Sequence, residues 1–131
     1  MQKKPVKSDY DSKMISRDRA DIKNEYPLLF MEKNYSARYD LAWQKARQAA
    51  EMLKKDYMAE NVFVFGSLLH REGFDMDSDI DLAVTGIPDN RFYHALGTLM
   101  QILAPFEVDL VDINDCRKSI RKTIESEGME L

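Results

Sequence analysis

From Ser78 to Val84 the chain reads Ser-Asp-Ile-Asp-Leu-Ala-Val, and this alternation limits what it can fold into. Successive side chains on a strand point to opposite faces, so Asp79 and Asp81 share one face while Ile80, Leu82 and Val84 share the other. The two carboxylates then sit about 6.5 Å apart at Cα. Downstream, Glu107 and Asp109 alternate with the apolar Val108 and Leu110 in the same way. If the two strands lie together, Asp79, Asp81 and Asp109 gather on one sheet face and the core lies behind the other. Three crowded carboxylates repel one another, and a purely structural sheet has no use for them.

The flanking sequence supplies what such a sheet needs. Residues 36–59 form the clearest helix: Tyr39, Trp43, Ala46, Ala50, Leu53 and Tyr57 recur at three- or four-residue steps on one face, with Asn34 or Ser36 as its cap. Trp43 and Tyr57 on that stripe read as core packing. Val62–Phe65 reads as a buried strand ended by Gly66, and Ile80–Thr85 as a second strand ended by Gly86 and Pro88. Asp89 or Asn90 caps a helix from about Arg91 to Leu103, which Pro105 stops. Phe106–Val111 is a third strand, and Asn114 or Asp115 caps a last helix running to Glu127. The expected fold is α+β, in α/β layers: a small mixed sheet with helices packed on one face.

Size and charge narrow the function. A chain of 131 residues suits one domain. The net charge of -4 argues against coating long nucleic acids. The first 27 residues carry seven basic and five acidic side chains, hence +2, leaving -6 for the remainder. Residues 1–33 are expected to be an arm, loosely ordered or docked, leading into a domain over 34–131. Its lysines Lys3, Lys4 and Lys7 read as a solvated tail. Cys116 is the only cysteine, which excludes an internal disulfide and a Cys-based zinc site and suits a cytoplasmic location. No run approaches a membrane span, and no apolar stretch follows the charged N-terminus, so neither a membrane helix nor a signal peptide is expected.

The segment between the first two strands carries the chemistry. Gly66-Ser67 makes a turn before a short helix at Leu68–Arg71, where backbone N–H groups and the Ser67 hydroxyl can hold phosphate oxygens. Hard carboxylate ligands suit Mg²⁺, which also takes substrate phosphates. Two such ions about 3.5–4 Å apart can activate a hydroxyl and stabilise departing pyrophosphate. Rival readings fail on residues. A calcium-binding loop starting at Asp75 needs Gly where Ile80 stands and Glu where Gly86 stands; one starting at Asp77 meets Leu82 and Pro88. The Gly-Lys-Ser/Thr of a Walker loop is absent. Asp75 and Asp77 read as a solvated acidic loop.

Gly66-Ser67, then Ser78-Asp79-Ile80-Asp81-Leu82, then Val108-Asp109-Leu110-Val111 resembles the minimal nucleotidyltransferases (MNT domains) of the DNA polymerase beta superfamily, over about residues 36–131. The resemblance implies a polymerase beta-like palm fold. It implies that Asp79 and Asp81 bind two Mg²⁺ with a bound nucleoside triphosphate. Asp109 would bind the catalytic metal and help deprotonate the acceptor hydroxyl. Gly66 and Ser67 would hold the triphosphate, with ATP as donor. Many members carry Arg three positions after the Ser; here that position is His70, and the adjacent Arg71 would substitute. Larger members append a helical domain for the acceptor. By the resemblance, this chain would draw acceptor contacts from its N-terminal segment, a second copy or a partner.

Members of this size often pair with a HEPN-domain protein as the antitoxin of a toxin–antitoxin system, and some resemble protein adenylyltransferases that modify a toxin Tyr. The expected activity is therefore transfer of a nucleoside monophosphate to a hydroxyl. The alternative is a non-catalytic antitoxin that neutralises a HEPN partner by occlusion, and a weaker third is an inactive nucleotide sensor. Cys116 and His94 read as structural or surface residues. Tyr10, Tyr26 and Tyr35 are weak candidates as self-modification acceptors.

Overall fold

A computed structural model describes the backbone from Pro27 to Leu131 and side chains from Ser36 onward. Lys3, Lys4, Lys7, Tyr10 and Tyr26 lie outside the described residues, as does the side chain of Tyr35. The chain divides between Ala37 and Arg38, and the sheet, the core and the candidate site described below belong to Arg38–Leu131.

The first helix, α1, spans Pro27–Asp56 and so begins well before the expected start. Proline suits a first helical position, because its missing N–H would be unpaired there anyway. Asn34 and Ser36 lie inside the helix, not at its start. From Ala42 to Leu53 its inner face is built of Ala42, Ala46, Ala49, Ala50 and Leu53, all buried. Tyr57 is buried and Trp43 packs against the core, as the stripe predicts. Met58, at φ 67, turns the chain into β1, Asn61–Phe65.

Tight 3₁₀ turns at Gly66–Leu69 and Arg71–Gly73 lead to β2, Ile80–Thr85. Helix α2, Asp89–Ile102, returns the chain to β3, Val108–Asp112. α2 starts at Asp89, two residues before the expected Arg91: Pro88 is its flanking residue and Asp89 sits in its first turn, where a carboxylate favours the helix dipole. The third strand starts two residues later than expected, and Phe106 before it is a buried core residue. Asn114 and Asp115 do not cap the last helix. They belong to a 3₁₀ turn, Ile113–Asp115, closed by the Asp112 side chain accepting from the Asn114 N–H at 3.0 Å. The last helix, α3, is Lys118–Glu127. A two-residue strand that the sequence pattern misses, β4 (Met129–Glu130), pairs with β1, and the Leu131 N–H donates to the Val62 carbonyl at 2.9 Å.

The sheet order is β3-β2-β1-β4. β1 runs antiparallel to both neighbours, and β2 and β3 are parallel, joined through α2, so the sheet is mixed as expected. Val62, Val64, Ile80, Leu82 and Val84 are fully buried in one cluster with the inner faces of α1 and α2. On the opposite face Ala83 is fully buried too, and α3 lies against β1 with Ile124 buried outside the main cluster.

Candidate active site

Register places the acids. Asp81 is the direct partner of Asp109 on the parallel strand and of Phe65 on the antiparallel one. Paired residues on neighbouring strands project to the same face, so Asp81 and Asp109 stand side by side with Gly66 next to Asp81 on the other flank. Asp79 precedes β2 by one residue and, like Asp109, is exposed; Asp81 is half-buried. Burial, then the charge of Asp109, then that of Asp79 push the Asp81 carboxyl up from 3.8 to about 6.

Gly66 serves this arrangement in two ways. Its φ of +78 is left-handed, a conformation that side chains disfavour. A Cβ there would also run into the Asp81 carboxylate oxygen Oδ2. The turn that carries Ser67 is thus laid against Asp81 because nothing projects between them. Ser67 is half-buried, with its carbonyl accepting from the His70 N–H at 3.0 Å.

The neighbours expected to help with phosphates are placed differently from one another. Arg71 is exposed just beyond the turn, with its guanidinium 4.9 Å from the centre of the Tyr39 ring. The Tyr39 hydroxyl donates to the Leu68 carbonyl at 2.8 Å, which ties the turn to α1. His70 is exposed, and its Nε2 lies 3.0 Å from Glu127 Oε1 on α3. The acidic loop makes bonds within itself: Asp75 Oδ1 accepts from the Asp77 N–H at 2.9 Å and from the Ser78 hydroxyl at 3.2 Å. Asp75 and Asp77 are exposed, as a solvated loop should be.

Sequence reasoning missed the anchor of that loop. Arg38 donates from Nη2 to the Met76 carbonyl at 3.0 Å while its guanidinium lies 4.5 Å from the centre of the Phe106 ring. This contact spans 38 residues, so no local motif announces it. Cys116 is half-buried, its Sγ 3.5 Å from the Ile113 carbonyl. His94 is exposed, with Nδ1 2.6 Å from the Tyr57 hydroxyl, which also lies 2.8 Å from Thr98 Oγ1.

The donor set fits a hard divalent cation: all oxygen, clustered, and under charge strain that a cation would relieve. Among the described residues no three acidic, His or Cys side chains close into a ready-made metal cage. Among the described residues no helix is long and apolar enough to cross a membrane.

Residues 47–131 match the family model described as polymerase beta, nucleotidyltransferase. No curated protein matches. Among solved structures, the chain resembles the MntA–HepT toxin–antitoxin complex at a TM-score of 0.51 and 18% identity, covering 67% of this chain and 69% of the other. A toxin–antitoxin structure with AMP-PNP aligns at a TM-score of 0.53 and 22% identity, over 63% and 69% of the two chains. The tri-AMPylated HEPN toxin of Shewanella oneidensis in complex with its MNT antitoxin gives 0.50 and 18%, over 68% and 70%. These likenesses establish a shared fold, and the family match covers well over half the sequence. The chain belongs to the polymerase beta-like nucleotidyltransferase family.

Proposed function

We propose that this protein is an antitoxin that moves AMP from ATP to a hydroxyl of a HEPN-domain partner, with a partner Tyr as acceptor. The observation that carries the reading is the side-by-side register of Asp81 and Asp109, with Asp79 near enough to help raise the Asp81 pKa. Support for the donor and partner comes from the neighbours: one is a toxin–antitoxin structure with AMP-PNP, and another pairs an MNT antitoxin with an AMPylated HEPN toxin.

In this reading Gly66 and Ser67 hold the triphosphate beside the acids, and Arg71 adds a positive charge at the edge of the turn. The acceptor oxygen attacks the α-phosphorus, the α–β anhydride bond breaks, and pyrophosphate leaves. The hydroxyl proton passes to Asp109, the outermost of the sheet-borne acids. Mg²⁺ held by Asp79, Asp81 and Asp109 would neutralise phosphate charge and stabilise the leaving pyrophosphate. The family resemblance supports these roles.

The test is pyrophosphate release with ATP, Mg²⁺ and the partner, read for wild type and for Asp79→Asn and Asp81→Asn. Each substitution should lower the rate by at least about a hundredfold, the scale of losing one charge-stabilising group. Rates equal to wild type would remove both acids from the mechanism. Full neutralisation of the partner by the double Asn variant would favour occlusion.

A further inference from the structure

A groove of about 540 Å³ opens along the outer edge of β3, between the first turn of α2 and the start of α3. Its floor is Asp109–Asp112, so it begins at the proposed catalytic face and runs away from it. β3 is the last strand on its side of the sheet. The Ile80 N–H donates to the Glu107 carbonyl, so the odd-numbered residues of this segment turn their backbone groups toward β2. The alternation of a strand then turns those of Val108, Leu110 and Asp112 outward. Among the described residues no hydrogen bond is made to these outward groups. Such an edge is a template for another strand, and proteins usually blunt it with Lys, Pro or a covering element. Val-Asp-Leu-Val-Asp carries neither residue.

The walls describe the occupant. Phe92, Tyr93 and Ile120 supply apolar surface, and Tyr93 is 80% exposed, an unusual position for so large a ring. The charges are Asp89, Asp109, Asp112 and Asp115 against Arg117 alone. A polyphosphate would be repelled there, whereas a basic peptide would be drawn in. A strand added to β3 lies about 4.8 Å away, and its residue opposite Asp109 projects to the same face as Asp109 and Asp81.

We infer that the open edge of β3 takes an extended, basic segment of the acceptor protein as a fifth strand, delivering its hydroxyl residue to Asp109. This deepens the proposed transfer reading and rests on it for the purpose of the groove, though not for the binding itself.

The test uses the full chain and a short lysine- and arginine-rich peptide with one central tyrosine, with binding followed by amide chemical-shift changes. Two control peptides accompany it: one with acidic residues replacing the basic ones, and one N-methylated at alternate backbone amides. The expected result is binding of the basic peptide, with shifts centred on the outward amides of Leu110 and Asp112, and loss of binding for both controls. Asp115→Lys and Tyr93→Ala should each weaken it by about tenfold, and leave AMP-PNP binding unchanged. Equal binding of the N-methylated peptide, shifts elsewhere on the protein, or a groove filled by another segment or a second copy of this chain would overturn the inference. Binding should survive in Asp81→Asn. A protein that binds the peptide this way yet transfers nothing retains the groove proposal and loses the transfer reading. One that transfers AMP with no peptide at β3 loses only the groove.

Discussion

Asp81 and Leu82 are adjacent on β2 and answer to opposite demands. Leu82 is fully buried in the apolar core cluster, where burial itself is the stabilising term. Asp81, half-buried on the other face, is held beside Asp109 and near Asp79 at an electrostatic cost, visible in its raised pKa. One face of the sheet is arranged for stability. The acid-bearing part of the other face accepts a standing penalty that only a bound cation or a proton removes. Strain of this kind gathers at functional sites.

Substitutions can break the contrast from each side. The largest stability effect is expected on the apolar face: Leu82→Ala should cost about 2–5 kcal/mol, read by urea unfolding, because it leaves a cavity in the packed core. A cost below the experimental error would mean that the core is not where the fold places it. Gly66→Ala comes next. Its positive φ and the clash with Asp81 Oδ2 should cost about 1–2 kcal/mol and displace the carboxylate, so that ATP-dependent activity falls further than stability does. Unchanged activity would show that the turn need not touch Asp81.

The smallest effect has the opposite sign. Because the folded pKa of Asp81 lies near 6, above its ordinary 3.8, the native state holds more protons than the unfolded chain between those values. The group's contribution to stability is therefore fully present below about 3.8 and is lost as pH rises through 6. Asp81→Asn should be inactive yet melt a few degrees above wild type at pH 7 in chelator, with the gap closing toward pH 4. Mg²⁺ should stabilise wild type and not the variant. A variant that melts lower than wild type at pH 7 would remove the electrostatic penalty from the account.

The two faces were legible in the sequence because a strand repeats every two residues, and Asp79 to Leu82 carries that repeat. Gly66 was legible as a turn, although its approach to Asp81 was not, since it depends on the β1–β2 register. What escaped lacks a local signature. β4 is two residues long and is held by backbone pairing to β1. The start of α1 at Pro27 was masked by good capping residues, Asn34 and Ser36, that lie inside the helix. Asp112 was read past because its side chain closes a turn that competes with a cap at Asn114. Arg38 at Met76 and the groove along β3 are assembled from segments far apart in the chain.

The most direct test of the central claim, that the carboxylate face transfers a nucleotide, is the intact mass of a HEPN-domain partner co-expressed with this protein. With wild type the partner should carry one or more adenylyl additions. With Asp81→Asn it should carry none while still co-purifying as a complex. An unmodified partner beside wild-type protein, or equal modification beside Asp81→Asn, would contradict the claim.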